Sequence, residues 1–208
     1  MSREALLAAL DAYGQRHGRE RETVERFVAF VAAHERCFER ALQAPGHVTG
    51  SAWIVAPEGD AVLLTHHRKL DLWVQLGGHA DGDPDPLAVA LREGLEESGL
   101  PALEALDPWT GTTPIVPFDV DIHEIPERKG EPAHLHYDVR FAFRAPHRDV
   151  VVSDESHDLA WVPLARIADY TREESMLRMA GKWIDAVERV APLRRTGRLP
   201  KFAGADRG

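Results

Sequence analysis

The sequence contains a single cysteine, Cys37, among its 208 residues. No disulfide can form within this sequence, and a zinc site built from several thiolates is excluded. Such sparing use of cysteine is typical of proteins in reducing compartments. We therefore expect an intracellular, cytoplasmic protein.

Long apolar runs are also missing from the chain. No stretch reaches the roughly 20 apolar residues that a membrane-spanning helix needs. The first apolar stretch, within MSREALLAALDAYGQRHGRE, is short and interrupted by charge, which does not fit a signal peptide. We expect a soluble protein with no membrane partner.

Basic residues are outnumbered by acidic ones. The chain has 25 Lys+Arg against 34 Asp+Glu, a formal net charge of -9, and no long basic run. Nucleic acid is therefore not an expected partner. The same negative field repels anionic substrates, so a protein of this charge that handles phosphates needs local metal ions, arginines or histidines.

Hydrophobic spacing divides the chain into a helical start and a mixed remainder. Residues 2–42 carry helical periodicity with a break near 14–18, which predicts two helices. Two more helices are predicted at 87–98 and 171–190, and short β-like runs lie at 49–55, 61–65, 73–75, 114–122, 134–143 and 158–162. The order of these elements predicts an α+β fold. We expect an N-terminal helical extension (1–45), one main domain (46–192) and a flexible tail (193–208).

The most informative stretch covers residues 77–100 and reads GGHADGDPDPLAVALREGLEESGL. It places Glu93, Glu96 and Glu97 within two turns of one predicted helix, beside Arg92. Like charges three and four residues apart share a helix face and repel each other. A divalent cation such as Mg²⁺ or Mn²⁺ resolves that repulsion, since both ions prefer oxygen ligands, and Mg²⁺ binds through carboxylates together with substrate phosphates.

The same stretch resembles the Nudix box, G-x5-E-x7-R-E-U-x-E-E-x-G-U, in which U is a bulky aliphatic residue. The matching residues are Gly78, Arg92, Glu93, Glu96, Glu97, Gly99 and Leu100. Two positions depart from the pattern: Pro84 replaces the early glutamate, and Gly94 replaces the first aliphatic residue. In the family, the early glutamate acts more on the loop's structure than on the metal chemistry. Gly94 costs about 1 kcal/mol of helix stability relative to alanine, and it either permits a close backbone approach or simply weakens the helix.

The resemblance implies a Nudix fold, with a mixed β-sheet sandwiched between helices. It also implies Mg²⁺- or Mn²⁺-dependent hydrolysis of a nucleoside diphosphate linked to another group, with water attacking one phosphorus of the diphosphate. The expected partner is thus a small, nucleotide-derived diphosphate, and the protein would be an enzyme acting on phosphorus-containing acid anhydrides.

Site roles are also implied by the resemblance, residue by residue. Glu93, Glu96 and Glu97 match the glutamates that bind metal and supply the base, and Arg92 matches the arginine that orients them. Gly77 and Gly78 match the loop that lets the backbone approach the metal and the substrate. Which glutamate is the base stays open. Glu155 is a further candidate base or metal ligand, with a solvated loop acid as the alternative.

A second group of polar residues lies in the run PAHLHYDVRF, residues 132–141. If this run is a strand, alternation puts His134, His136, Asp138 and Arg140 on one face. The histidines could bind a substrate phosphate or a metal ion, with Asp138 orienting one of them. The alternative is a solvent-exposed strand face.

His79 suggests a comparison with isopentenyl diphosphate isomerases, which share the Nudix fold. Their corresponding loop reads Cys-Gly-His, with a catalytic cysteine and a metal-binding histidine. Gly77 occupies the cysteine position here, and Cys37 falls in the N-terminal helices, so an isomerase would lack its acid. His79 is nevertheless a candidate metal ligand, with a structural or solvated histidine as the alternative.

Two further questions stay open at the level of sequence. The first is whether the chain is a catalytically silent nucleotide-sensing module, since one fold hosts many functions. The three intact glutamates argue against this, because a pure binder does not need them. The second is the role of the N-terminal helices, which could form a homodimer contact, cover the active site or cap the sheet.

Overall fold

The computed structural model describes residues 2–68, 70–111, 115–127, 130–153 and 156–195. The α-helices are α1 (Arg3–Arg16), α2 (Arg21–Ala33), α3 (Pro86–Ser98) and α4 (Glu174–Arg195). The strands are β1 (Gly46–Val55), β2 (Ala61–His67), β3 (Leu72–Val74), β4 (Leu76–His79), β5 (Glu104–Leu106), β6 (Asp119–Ile125), β7 (His134–Arg144) and β8 (Ser156–Pro163). Short 3₁₀ helices cover Gly18–Glu20 and Leu164–Asp169. The predicted α+β class is confirmed.

The described residues contain no helix that is both long and apolar enough to cross a membrane.

The predicted helix pair at the N-terminus is confirmed, although it ends at Ala33 rather than near residue 42. Helix α1 begins after Ser2, whose hydroxyl accepts a hydrogen bond from the amide of Ala5 at 3.3 Å. This is an N-cap, which pairs an amide that the first helical turn leaves unbonded.

The last helix also differs from its prediction at both ends. Thr171 was expected to open it, but α4 begins at Glu174, since the Thr171 hydroxyl accepts from the amide of Glu173 in the preceding turn. The helix then continues through Arg195, three residues into the predicted tail. The rest of that tail, 196–208, lies outside the described residues, and the domain boundaries at 45 and 192 stay predictions.

Two compact units share the chain. The first contains residues 1–51, 77–93 and 116–141, and the second contains 52–76, 94–115 and 142–208. Strands β1, β4 and β7 and helix α3 each contribute residues to both units.

In the first unit, β6 and β7 are antiparallel, with Asp119 opposite Arg140 and Ile125 opposite His134. Helix α2 packs against this strand pair. The ring of Phe30 stacks on Tyr137 of β7 with 3.6 Å between the ring centroids, and Phe27 meets the same ring edge-on at 5.4 Å. Helix α2 therefore caps this strand pair, one of the three roles left open by the sequence.

In the second unit, β2 lies between two antiparallel neighbours, β3 and β8. Strand β5 pairs with the end of β7. Trp183 of α4 is buried, and its indole N–H donates to the carbonyl of Gly59 at 2.9 Å. A polar group on a buried aromatic ring usually needs such a partner.

Strands β1 and β7 are neighbours that run in the same direction. The amide of Leu135 donates to Pro45, and the amide of Ala145 donates to Val55, so both residue numbers rise together along the pair. With the antiparallel pairs above, this gives the mixed sheet that the sequence resemblance implies.

Candidate functional site

Helix α3 carries the glutamates, and its start is fixed by Asp85. One carboxylate oxygen of Asp85 accepts from the amides of Leu87 and Ala88 at 3.1 and 3.2 Å. Pro86 takes the first helical position, where its missing N–H is not needed. The sequence thus sets the helix phase locally, and Arg92, Glu93, Glu96 and Glu97 fall in its C-terminal half.

The carboxylate of Glu93 is held between a glycine and an arginine. A β-carbon placed on Gly78 would lie 2.5 Å from both Cδ and Oε2 of Glu93, closer than real β-carbons approach. Arg92 Nη2 donates to Oε1 of the same carboxylate at 3.1 Å and to the carbonyl of His79 at 3.3 Å. Gly78 therefore lets the backbone of β4 reach the Glu93 side chain.

Gly77, on the same strand, lets the backbone of β4 come close to Ser51. A β-carbon there would collide with the hydroxyl and the backbone of Ser51 on β1. Ser51 in turn donates a hydrogen bond to Asp138 at 2.8 Å. Packing thus explains both Gly77 and Gly78, and a substrate role for them stays a prediction.

In the second unit, Glu96 is exposed and Glu97 is buried with 7% of its surface accessible. Gly94 lies between them and Glu93 on the helix. The sequence left two roles open for it, a close backbone approach or only a weaker helix. A β-carbon there would lie 3.0 Å from Cδ1 of Leu103 and 3.1 Å from Cβ of Ala52. Gly94 therefore permits a close approach of helix and strand, which explains the departure from the aliphatic pattern.

Three histidines of the first unit converge. Each of His47, His79 and His136 offers a ring nitrogen, and these nitrogens all lie within 4.8 Å of one another. The ring centroids are 5.2 Å apart for His47 and His79, 4.9 Å for His47 and His136, and 5.2 Å for His79 and His136. We call these three residues the histidine cluster. His134 and His123 flank it, at 5.2 and 5.4 Å from His136.

Burial favours the neutral form of each histidine in the cluster. It lowers the pKa of His79 to about 4, with Arg40 adding to the effect, and the pKa of His136 to about 2, with His123 adding. Burial also lowers the pKa of His47 below its usual value. Neutral imidazole can ligate a metal ion, whereas it lacks the positive charge that attracts a phosphate.

The polar face of β7 is buried, so the solvent-exposed alternative is wrong. Asp138 and Arg140 are 1% and 2% exposed. Asp138 accepts hydrogen bonds from Thr49 and Ser51 at 2.9 and 2.8 Å, and from Arg140 Nε at 2.7 Å. Its carboxylate is thus committed to neighbouring side chains, and its role in substrate binding stays a prediction.

Arg140 completes a buried charge network. Its Nη1 and Nη2 atoms donate to Asp119 at 3.1 Å and to Asp121 at 3.2 Å. Coulombic attraction from Asp138, Asp119 and Asp121 outweighs desolvation and raises the pKa of Arg140. This pairing meets the general requirement that a buried charge be compensated.

His47 was not predicted from the sequence, although the alternation of polar residues around it is a signal. Residues 47, 49 and 51 are polar and alternate along β1, so they share one face of the strand. That face meets the alternating polar face of β7, as the bonds from Thr49 and Ser51 to Asp138 show. Glu155, the further candidate base, lies outside the described residues.

Comparison with known proteins identifies the family. The family model described as NUDIX domain matches residues 45–180. A NUDIX-family hydrolase from Clostridium perfringens has a similar structure, with a TM-score of 0.52 and 21% identity, over 66% of this chain and 96% of that chain. The Ap4A hydrolase of C. elegans, solved as a binary complex, gives a TM-score of 0.50 and 18% identity, over 68% of this chain and 97% of that chain. The E. coli dihydroneopterin triphosphate pyrophosphohydrolase gives a TM-score of 0.50 and 18% identity, over 66% of this chain and 95% of that chain.

At these identities, the structural likeness shows the fold. None of the curated proteins compared with the chain matches it. The family model, however, covers more than half of the sequence and includes the whole of helix α3 and the glycines before it. The resemblance and the enzyme class predicted from the sequence are therefore confirmed: the chain belongs to the Nudix family of hydrolases, whose members act on phosphorus-containing acid anhydrides.

Proposed function

We propose that this chain is a pyrophosphohydrolase that requires Mg²⁺ or Mn²⁺ and cleaves the diphosphate linkage of a nucleoside diphosphate derivative. The observation that carries the proposal is the fixed position of the Glu93 carboxylate. Its carboxylate packs against the backbone of Gly78 and accepts a hydrogen bond from Arg92. A carboxylate fixed in this way, one helical turn ahead of Glu96 and Glu97, is preorganised to act on a ligand.

The electrostatics of helix α3 fit a divalent cation. Glu96 and Glu97 lie in the last turn of this helix, which contains no basic residue. The C-terminal end of a helix carries a partial negative charge, so acids there are unfavourable by about 0.3–1 kcal/mol each. Repulsion from Glu93, three and four residues earlier on the helix, adds to this cost. A cation near these oxygens offsets both effects, and the all-oxygen donor set suits Mg²⁺ or Mn²⁺.

The roles of the side chains follow from this arrangement. Glu96 and Glu97 would be the principal ligands of the cation, which when bound offsets the charge of the diphosphate and lowers the pKa of water. Glu93 would be a further ligand or the general base that accepts the proton of the attacking water. Arg92 holds Glu93 in position through a charge-assisted hydrogen bond. Attack on one phosphorus breaks the bridging P–O bond and releases two phosphate products.

The substrate class is proposed from the family and from the names of two similar structures. The similar structures include proteins named for Ap4A and for dihydroneopterin triphosphate, and both names describe phosphoanhydrides. We propose a small nucleotide-derived diphosphate as the ligand. A cytoplasmic location, expected from the single cysteine, belongs to the same proposal.

The isomerase alternative gains no support. Its catalytic cysteine is replaced by Gly77, and Cys37 is fully buried in the first unit. Burial raises the pKa of the Cys37 thiol to about 11. A thiol that is both inaccessible and this reluctant to ionise is unsuited to proton exchange with a substrate.

The test is a panel of nucleoside diphosphate derivatives incubated with Mg²⁺ or Mn²⁺, with release of phosphate or nucleoside monophosphate as the readout. We expect metal-dependent turnover by the wild type and a loss of at least about 100-fold for Glu97→Gln, because even an outer-shell partner of a metal ligand is worth about 10–100-fold in activity. Glu22→Gln, at an exposed position of α2, is the matched control and should retain full activity.

A nucleotide-sensing module would behave differently in the same panel. It would show no turnover with any compound, while a bound nucleotide raised the melting temperature of the wild type and of Glu97→Gln alike. That combination of results would contradict the hydrolase proposal.

A further inference from the structure

We propose that His47, His79 and His136 form a second metal site, which binds a transition-metal ion of the Zn²⁺ class through three imidazole nitrogens. This site uses a donor set different from the helix glutamates. It therefore does not depend on the proposed hydrolase activity.

The geometry of the histidine cluster is close to that of a three-histidine site. Its ring nitrogens lie within 4.8 Å of one another. Ligands at about 2.05 Å from a tetrahedral Zn²⁺ are about 3.4 Å apart, so each nitrogen needs to move by at most about 0.8 Å. Rotation of a ring about its side-chain bonds is enough for such a movement.

Two of these imidazoles contain nitrogens that need a partner. Among the described residues, Nε2 of His47 and Nε2 of His136 are buried without a hydrogen bond. His47 itself is only 1% exposed. A buried polar atom with no partner costs about 1–3 kcal/mol, and coordination to a metal ion removes that cost.

The orientation of His47 is that of a metal ligand. Its Nδ1 lies 3.3 Å from the carbonyl oxygen of Leu42. A carbonyl only accepts, so a hydrogen bond here requires the proton on Nδ1 and leaves the lone pair on Nε2, the buried nitrogen that has no hydrogen-bond partner. Metal-binding histidines usually donate their other ring N–H to a carbonyl or carboxylate in this way.

The three residues come from three separate strands. His47 lies on β1, His79 ends β4, and His136 lies on β7. Strand pairing fixes their backbones, and pairing of β4 with β1 and of β1 with β7 brings them together. A site on rigid strands holds its ligands in place better than one on loops.

The donor set selects the kind of ion. Imidazole suits Zn²⁺, Cu²⁺, Fe²⁺ or Ni²⁺, whereas Mg²⁺ and Mn²⁺ favour oxygen. Arg40 is the cation whose charge bears on His47 and His79, and its guanidinium is paired with Glu131 at 2.6 Å. Asp81 acts on the same two histidines with the opposite sign. The surrounding charges are therefore largely balanced.

The test uses the full chain after chelator treatment, with Zn²⁺ and Co²⁺ as probes. We expect one tightly bound Zn²⁺ per chain by calorimetry, and the visible absorption of four-coordinate Co²⁺. His47→Gln and His136→Gln should each weaken Zn²⁺ binding by at least about 100-fold, since even loss of an outer-shell partner costs about 10–100-fold. His147→Gln, at an exposed position outside the cluster, is the matched control and should bind Zn²⁺ like the wild type.

A further variant separates this site from the proposed hydrolytic one. Glu97→Gln should bind Zn²⁺ with wild-type affinity even if it abolishes Mg²⁺-dependent turnover. Equal Zn²⁺ affinity in the wild type and both cluster variants would overturn the proposal, and so would a wild type that binds no Zn²⁺ tightly. If the variants do not fold, ¹⁵N NMR of the wild type decides: Zn²⁺ must shift the ring nitrogens of all three histidines.

Discussion

Gly78 and Glu93 are packed so closely that a β-carbon on the glycine would lie 2.5 Å from both Cδ and Oε2 of the carboxylate. The strand that ends at His79 and the helix that begins at Pro86 therefore meet through a backbone and a functional side chain. Arg92 donates to the other oxygen of that carboxylate. The glycine of the box thus determines where the Glu93 oxygens lie.

Replacing Gly78 with alanine should reduce activity far more than stability. The added methyl group must displace the carboxylate, which lies at the far end of a flexible side chain and can move at little cost in folding energy. A displacement of about 1 Å in a catalytic group can cost about 10²-fold in rate. We expect kcat to fall by about that factor, measured by steady-state kinetics, with the melting temperature nearly unchanged.

Gly18→Ala is the control for this experiment. A β-carbon at Gly18 would meet nothing within 4 Å. A Gly78→Ala protein with full kcat would show that the position of Glu93 does not limit the reaction. A Gly78→Ala protein that unfolds at a much lower temperature would show that the close approach matters for the fold instead.

The helix and its glutamates could be predicted from sequence because the signals are local. The cap at Asp85, the proline after it and the spacing of Arg92, Glu93, Glu96 and Glu97 all lie within about four helical turns. The strand β4 was missed because its sequence, LGGH, has two glycines, which are depleted in strands. Those glycines are present for the close approaches to Ser51 and Glu93, which only the folded chain reveals.

The histidine cluster shows the other limit of sequence reasoning. His79 follows Gly78 of the Nudix box, and His136 lies in the polar run 132–141, so both were predicted as site residues. His47 is a single histidine 89 positions from His136 in the sequence. Their proximity depends on the parallel pairing of β1 and β7, a contact between distant segments. Local periodicity predicts which face of a strand a residue occupies, and it does not predict which strand lies beside it.

Gly94→Leu restores the aliphatic residue of the Nudix box and should nevertheless destabilise the protein. The first atom of the new side chain would already lie 3.0 Å from Leu103 and 3.1 Å from Ala52. Overpacking of a well-filled core costs about 1–3 kcal/mol, which exceeds the gain of about 1 kcal/mol in helix propensity. Chemical denaturation should show the loss in the free energy of unfolding.

Two further variants test the reason for that loss. Gly181→Ala, in α4, adds a methyl group where nothing lies within 4 Å, and it should stabilise the protein by about 0.5–1 kcal/mol. Combining Gly94→Leu with Leu103→Ala should recover part of the lost stability by making room. If Gly94→Leu is as stable as the wild type, the close helix approach is not a constraint.

Cys37 should make stability fall at high pH. Its pKa is raised from near 9 to about 11 by burial, with Arg3 acting in the opposite direction. Between these two values, the unfolded chain loses the thiol proton while the folded chain keeps it. Stability is therefore fully present below about pH 9 and decreases as the pH rises toward about 11, by about 3 kcal/mol for this group.

The comparison with Cys37→Ala isolates this contribution, because other groups that titrate in the same range cancel in the difference. The free energy of unfolding should drop more steeply between pH 9 and 11 in the wild type than in the variant. Parallel curves would show that the thiol has the same pKa in both states. The native thiol should also react with a disulfide reagent at pH 8 at least about 100-fold more slowly than the unfolded chain, since it forms less thiolate and is buried.

Arg140→Met should cause a large loss of stability, since it removes the guanidinium that three acidic side chains contact. Asp119 and Asp138 are almost completely buried, and Asp121 is partly buried. Removing one partner from a buried ion pair costs about 3–5 kcal/mol, because the remaining charge stays buried. Asp121→Asn, which keeps the other two contacts of Arg140, should cost less than about 1.5 kcal/mol.

In a double-mutant cycle, the loss from combining Arg140→Met with Asp138→Asn should be smaller than the sum of the single losses. An additive cycle would show that Arg140 and Asp138 contribute independently, and that the short Nε to Oδ2 contact of 2.7 Å does not couple them.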